Sequence, residues 1–186
     1  MSSAYVQRLI RQVIEKSESS VWESAVLEWD IVDCEEDEFR EESCICGKEN
    51  LRYLFTIRNR RNQNELFPIG SSCINKFERK ELIEQANVQE QMFKLLHYVK
   101  NNNFISLTPD LFSRKLLRHL YEIGAFDTEY NAYDGEDDYY FILDMFNKKN
   151  KDSITMQQHK KIRAIIVASI RPFLINTLID KTNALR

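Results

Sequence analysis

The chain has 186 residues, a length that suits one domain or a small module attached to a larger one. Its residues are 43% hydrophobic, which is enough to bury a core, and 30% charged, which is typical of a water-exposed surface. The net charge of -3 excludes bulk electrostatic attraction to nucleic acid, so any such role must depend on local basic patches.

No targeting or membrane segment is expected from the sequence. The N-terminus (MSSAY) lacks the basic region and apolar run of a signal peptide. The most apolar late segment, residues 162–179, is interrupted by two arginines and a proline, which favours core helices over a membrane span. We therefore expect a cytoplasmic protein with no membrane partner, and reduced cysteines that favour metal binding over disulfides.

The N-terminal part of the chain predicts a helix followed by a strand. Residues 3–18 place apolar side chains at three- and four-residue spacing, which predicts an amphipathic helix. Apolar and acidic residues alternate over 27–31 and predict a strand. The acidic stretch at 33–42 is expected to be a solvated loop.

The next segment predicts a β-hairpin and a helix. Residues 51–58 alternate and predict a strand, residues 59–64 (NRRNQN) a polar turn, and residues 65–69 a returning strand. The proline in the returning strand places it at a sheet edge. A helix is then expected to run from a serine N-cap at Ser71 or Ser72 to about Asn87.

The rest of the chain predicts helices. Thr108 is expected to cap a helix with Pro109 in its first position. Thr155 and Gln158 form the pattern of a capping box at the start of a long late helix. Pro172 is expected to kink or divide that helix.

The cysteines are spaced for a zinc site. Cys44 and Cys46 occupy a tight turn ending in Gly47, whose access to positive φ lets backbone N–H groups point at sulfur. Cys73 is expected in the first turn of a helix, where the dipole favours a thiolate. Structural zinc sites prefer four ligands, mostly thiolates, in a tetrahedron. A turn, a hairpin and a helix in this order form the layout of a treble-clef zinc finger.

The pattern departs from a standard treble clef in two ways. The first turn is C-x-C rather than C-x-x-C, and the position three beyond Cys73 is Lys76, which is not a ligand. Cys34 is the first candidate for the missing fourth ligand, and a carboxylate or one of three histidines is the alternative: His97, His119 and His159. We predict a structural Zn²⁺ ion with these ligands: Cys34, Cys44, Cys46 and Cys73.

This segment resembles a pattern in many small bacterial and phage proteins: C-x-C-G, a hairpin with an I-x-N corner, and G-S-x-C-I-x-x-F. Here the pattern is met by CICG at 44–47, IRN at 57–59 and GSSCINKF at 70–77. The resemblance covers residues 29–77 and implies a zinc module of bacterial or phage origin without a defined activity. Those proteins often carry a histidine after the first glycine, where this chain has Lys48.

Motifs for catalysis are lacking, so no catalytic residue is assigned. The hairpin segment contains no histidine, which an HNH nuclease would need, and the glycines are isolated. A carboxylate cluster could serve metal-dependent phosphoryl chemistry, although acidic residues at a helix start explain it more simply. The cluster comprises Asp134, Glu136, Asp137, Asp138 and Asp144.

The hairpin and the helix after it carry a local excess of basic residues that could contact phosphate. These candidate nucleic-acid-binding residues are Arg52, Arg58, Arg60, Arg61, Lys76, Arg79 and Lys80. The predicted function is a non-enzymatic, nucleic-acid-associated zinc protein. The alternative is a protein-interaction adaptor or subunit of a larger bacterial complex, in which the region around Tyr139, Tyr140 and Phe141 would matter. The third hypothesis is a metal-dependent nuclease that uses the carboxylate cluster.

The predicted fold is α+β and mainly helical, with a treble-clef-like zinc β-hairpin module and a surrounding or following helical bundle. The expected organisation is an N-terminal helix at 1–25, the zinc module at 26–87 and a helical bundle at 88–186. The sequence does not determine the oligomeric state.

Overall fold

The computed structural model describes the backbone of residues 3–184 and the side chains of residues 3–177. The fold is α+β and mainly helical, with one small antiparallel sheet, as predicted. The chain divides into two compact units, Met1–Glu90 and Gln91–Arg186. Within the described residues, no helix combines the length and apolarity needed to span a membrane.

The first unit begins with the predicted amphipathic helix. Helix α1 spans Ala4–Lys16, and the Ser3 hydroxyl caps its first turn. A short helix α2, Trp22–Ala25, and a 3₁₀ turn, Val26–Glu28, follow it. The predicted strand at 27–31 is therefore wrong at its start, because the 3₁₀ turn exposes Leu27 and buries the following glutamate.

Three antiparallel strands form a sheet in the order β1-β2-β3. They are β1, Trp29–Glu36; β2, Tyr53–Asn59; and β3, Glu65–Ile69. The proline-containing strand β3 lies at an edge, as predicted. Strand β1 extends into the acidic stretch that was expected to be a loop, because Asp33 to Glu36 continue the ladder opposite Thr56 to Tyr53.

The helix expected at 71–87 is interrupted. Helix α3 covers only Ser71–Ile74, with Gly70 rather than a serine at the N-cap, and a 3₁₀ turn follows at Asn75–Phe77. Glu78 has a left-handed backbone (φ 55°), which ends that turn before α4, Lys80–Lys100, begins. The interruption lets the Phe77 ring meet the edge of the Trp22 ring, with ring centroids 5.5 Å apart.

The second unit contains four α-helices in its described part. They are α5, Arg114–Glu122; α6, Glu136–Asn147; α7, Met156–Ile165; and α8, Arg171–Ala184. The Thr155/Gln158 capping box is confirmed. The Thr108 cap is wrong, because α5 starts later, where the Ser113 hydroxyl accepts a hydrogen bond from the Leu116 N–H.

Pro172 lies where the late helix changes its winding. A π-helical segment, Ile166–Ile170, leads from α7 into α8, of which Pro172 is the second residue. Proline has no N–H to continue the hydrogen-bond ladder, and its ring crowds the preceding turn. A wider turn before the proline relieves that crowding, so the expected division of the helix occurs without a break in the chain's helical course.

Candidate metal centre

Three of the four cysteines converge in the first unit. The sulfur atoms of Cys44, Cys46 and Cys73 all lie within 4.8 Å of one another, and these three residues are 4%, 1% and 9% exposed. None of the cysteines forms a disulfide. This buried group could hold a metal ion.

The spacing of the sulfur atoms fits coordination of one ion. The Cys44 and Cys73 sulfurs are 3.6 Å apart. Two thiolates bound to a tetrahedral Zn²⁺ at about 2.3 Å would be about 3.8 Å apart. A disulfide would need about 2.05 Å. The observed distance is therefore close to that of two ligands on a shared ion and far from that of a covalent bond.

The C-x-C-G turn is a closed knuckle that is fixed to the sheet. The Gly47 N–H donates to the Cys44 carbonyl at 2.7 Å, and the Cys44 N–H donates to the Lys48 carbonyl at 2.9 Å. Gly47 has φ +90°, so the glycine is required here, as the sequence indicated. The N–H between the two cysteines, that of Ile45, donates to the Pro68 carbonyl at 2.9 Å and so attaches the knuckle to β3.

The third sulfur comes from the chain immediately after β3. The Cys73 N–H donates to the Gly70 carbonyl at 2.8 Å, which closes the first turn of α3. The Gly70 N–H in turn points at the Cys44 sulfur, 3.4 Å away. A side chain at Gly70 would meet Leu51 at 2.9 Å, so glycine lets the chain pass close to the knuckle. Backbone donors aimed at sulfur are the arrangement that stabilises thiolates.

Electrostatics at the site favour a thiolate at Cys44. The hydrogen bond with the Cys73 thiol, against the opposing effect of burial, and the backbone N–H groups of Cys46 and Gly70 lower the pKa of Cys44 to about 5. The same sulfur–sulfur hydrogen bond, together with burial, raises the pKa of Cys73. Metal binding requires deprotonated thiols, so an ion at this site would replace the hydrogen bond between the two sulfurs.

Cys34 is not part of this group of three. It lies on β1 opposite Phe55 of β2, and Phe55 lies opposite Ile69 of β3, beside which the knuckle is attached. Two strand spacings, about 10 Å, therefore separate the backbones of β1 and β3 at this level of the sheet. The histidines considered from the sequence are also outside the group of three. The role of Cys34 as the fourth ligand stays a prediction.

The arginines of the hairpin tip lie close to carboxylates of the same module. Side-chain ion pairs join Arg58 to Glu65 at 2.6 Å, Arg60 to Asp30 at 3.7 Å and Arg61 to Glu28 at 3.6 Å. The three arginine side chains are still 46%, 55% and 63% exposed. The tip is thus accessible, but its positive charge is largely compensated.

The other predicted phosphate-binding residues differ in accessibility. Arg52 pairs with Glu36 at 2.9 Å. Arg79 is only 10% exposed, pairs with Asp30 at 3.3 Å and donates to the Trp29 carbonyl, so its guanidinium supports β1. Lys76 and Lys80 are both exposed on the surface.

A buried carboxylate beneath the hairpin tip was missed by the sequence reasoning. Glu28 is 1% exposed and accepts hydrogen bonds from the N–H groups of Glu18 and Ser19 at 2.8 and 3.0 Å. It also accepts from the Asn59 side chain at 2.7 Å. The Asn59 side-chain oxygen accepts from the Arg61 N–H at 2.8 Å, inside the hairpin turn. The asparagine of the I-x-N corner was the one sequence signal for this network.

The carboxylate cluster of the second unit does not form a metal-binding group within the described residues. Asp134 accepts from the Glu136 N–H at 3.2 Å at the start of α6. Asp138 pairs with Lys161 at 3.4 Å and accepts from the Asn131 side chain at 3.3 Å. These contacts fit acidic residues that support a helix N-terminus and its adjoining loop.

Comparison with protein-family models, curated proteins and solved structures found no match.

Proposed function

We propose that this chain is a non-enzymatic zinc-binding protein in which one Zn²⁺ ion stabilises the treble-clef-like sheet module. The observation that supports this most directly is the convergence of three buried sulfurs within 4.8 Å of one another. They come from a knuckle and from the helical turn after β3, so one ion would join both ends of the β2–β3 hairpin.

The chemistry of the donors favours zinc over other common ions. Thiolates are soft ligands that select zinc, copper(I) or iron–sulfur clusters, whereas magnesium and calcium take oxygen ligands. The distance between the Cys44 sulfur of the knuckle and the Cys73 sulfur of the helical turn, 3.6 Å, fits two ligands of one tetrahedral ion. A structural role agrees with the burial of Cys44 and Cys46 and with the hydrogen bonds that hold the knuckle to β3.

Metal content tests this proposal. The purified chain is expected to contain one equivalent of zinc, and Cys46→Ser is expected to bind it at least about tenfold more weakly, because a buried thiolate ligand is lost. Native mass spectrometry and elemental analysis give the stoichiometry. Cys34→Ser, at the buried cysteine outside the group of three, tests the predicted fourth ligand in the same measurement: unchanged zinc affinity would remove Cys34 from the ligand set. A wild-type chain that binds no zinc would exclude the proposal.

The predicted association with nucleic acid is the role proposed for the module. Its support is the exposure of Arg58, Arg60 and Arg61 on a turn held by a rigid network. The pairs of Arg58 with Glu65 and of Arg60 with Asp30 are surface pairs, which typically contribute less than about 1 kcal/mol, so a phosphate could replace those two carboxylates. The same carboxylates reduce the local potential, which predicts weak binding that is sensitive to salt.

Salt-dependent titration with a short DNA or RNA duplex tests this role. Alanine at the three tip arginines should flatten the slope of log affinity against log salt by about two to three. A control variant with alanine at three exposed cations outside the hairpin, Arg11, Lys149 and Lys160, should leave the slope nearly unchanged. Equal slopes for both variants would remove the hairpin from the proposal.

A protein partner is the second candidate, and one surface of the second unit favours it. Tyr130, Tyr133 and Tyr140 are 91%, 67% and 57% exposed. Residues 119–147, which contain them, carry eight acidic residues and no lysine or arginine. Exposed aromatic rings among carboxylates suit a basic polypeptide through cation–π contacts and ion pairs. Absence of salt-dependent nucleic-acid binding in the titration would favour this candidate.

A further inference from the structure

The group of three sulfurs leaves one vertex of a tetrahedral ion without a ligand from the group. Within residues 3–177, no other cysteine, histidine or carboxylate joins Cys44, Cys46 and Cys73 in it. Zinc sites with three protein ligands keep their fourth position for water or for a molecule from outside, whereas closed structural sites use four. What lies beside the sulfurs therefore decides which kind of site this is.

A cleft adjoins two of the three cysteines. It has a volume of about 190 Å³, and both Cys44 and Cys73 line it, whereas Cys46 does not. The volume is smaller than the pockets of roughly 300 Å³ or more that hold drug-sized ligands, so it suits a molecule of only a few heavy atoms. A donor in the cleft would approach the ion between Cys44 and Cys73.

The lining of the cleft favours an anion. Besides the two cysteines it includes Lys48, Ser71 and Ser72, and it contains no aspartate or glutamate. Three thiolates and Zn²⁺ carry a net charge of -1, which by itself would repel an anionic fourth ligand. Lys48 supplies a cation at the cleft, and the serine hydroxyls supply hydrogen-bond donors. Lys48 also occupies the position after the knuckle glycine.

We propose that the metal centre takes its fourth ligand from outside the chain, and that this ligand is a small thiolate bound in the cleft beside Lys48. The inference rests on the proposed zinc site and specifies how that site is completed. Three thiolates select a metal ion that favours sulfur, so sulfur is also a favourable fourth donor. A small thiolate matches the volume of the cleft, and its negative charge matches the cation of Lys48. Binding exchanges a water at the fourth position for one metal–sulfur bond and releases that water and the thiol proton to solvent, with no change in oxidation state.

Cobalt(II) substitution tests this, because each Co–S bond adds to the sulfur-to-metal charge-transfer absorbance. The Co²⁺-loaded chain should show the intensity of three such bonds. Saturation with 2-mercaptoethanol should raise that intensity by about one third, as three bonds become four. Cys34→Ser should give the same spectrum and the same increase, because Cys34 is outside the group of three.

The charge at the cleft gives a second readout. Lys48→Glu should weaken the apparent affinity for 2-mercaptoethanol by about tenfold, while the cobalt spectrum before thiol addition stays the same. Lys76→Glu, the same change at an exposed lysine that does not line the cleft, is the matched control and should have little effect.

A spectrum that does not respond to the thiol would overturn the inference. If Cys34→Ser also lost about a quarter of the absorbance, the site would be a closed one with four cysteines. In both cases the zinc proposal would survive, because cobalt had bound. Only a chain without any charge-transfer band would remove the zinc site itself.

Discussion

Removal of the metal is expected to lower the unfolding temperature of the first unit by roughly 15 °C or more, since a ligand present at a thousand times its dissociation constant stabilises by about 4 kcal/mol. The reason is local. The knuckle is attached to β3 by one backbone hydrogen bond, between Ile45 and Pro68, and three thiols without a cation would share protons at close range. A bound ion would therefore add a direct attraction between Cys73 and the knuckle.

Thermal unfolding followed by tryptophan fluorescence measures this effect. Both tryptophans of the chain, Trp22 and Trp29, lie in the first unit, so the signal reports that unit. Addition of a zinc chelator should shift the transition of the wild-type chain by more than that of Cys46→Ser, which starts from a lower temperature. A wild-type transition that is indifferent to the chelator would show that the three sulfurs contribute no metal-dependent stability.

Replacing Glu28 with glutamine is expected to destabilise the first unit by about 2–4 kcal/mol, the cost of disrupting a buried, charged hydrogen-bond network. Both carboxylate oxygens accept hydrogen bonds from N–H groups: Oε2 from Glu18 and Asn59, and Oε1 from Ser19. Glutamine would present an NH₂ group to at least one of these donors. Denaturant unfolding at neutral pH measures the loss, and Glu23→Gln, at an exposed site, should change little.

The same carboxylate predicts a dependence on pH. Burial alone would raise its pKa, but hydrogen bonds from Asn59, Glu18 and Ser19 and the charge of Arg61 hold the pKa of Glu28 below its ordinary value of 4.5. A lowered folded-state pKa stabilises the fold above the unfolded value, and that stability is lost as pH falls through the folded value. The difference between wild type and Glu28→Gln should therefore be constant above about pH 5.5 and shrink below pH 4.5.

A difference that stayed constant to pH 3 would show that the charge of Glu28 does not contribute to the stability of the network.

Further hydrogen bonds fix the hairpin tip in place. Side chains of Asn62 and Asn64 donate to the Lys16 carbonyl at 3.1 and 3.0 Å, at the end of α1. The polar turn predicted at 59–64 thus also attaches the hairpin to the first helix.

Several local features of the fold could be predicted from the sequence because neighbouring residues specify them. The capping box at Thr155 and the edge position of β3 follow from residues a few positions apart. The knuckle is equally local, since Gly47 adopts the positive φ that its position indicated. Such features depend on backbone geometry and short-range hydrogen bonds, which residue type controls directly.

Errors arose where a distant contact overrides the local pattern. The alternation at 27–31 predicted a strand, yet its first two residues lie in a 3₁₀ turn that buries Glu28, because three donors from residues 18, 19 and 59 satisfy its charge. The helix expected at 71–87 is interrupted at Glu78, where Phe77 turns to pack on Trp22. The pattern of residues within either segment does not indicate these distant contacts, so local propensity could not predict them.

The sequence by itself determined the elements that deliver Cys44, Cys46 and Cys73, because a glycine turn, a hairpin and a helical start are each specified by adjacent residues. Only the tertiary structure decided which cysteines meet: the sheet keeps Cys34 on β1, about two strand spacings from β3, while the knuckle lies beside β3. It also decided that a cleft lined by Lys48 adjoins two of the three cysteines. The order of the strands and the position of the knuckle beside β3 depend on packing across the whole unit. The spacing of cysteines along the chain does not specify that packing.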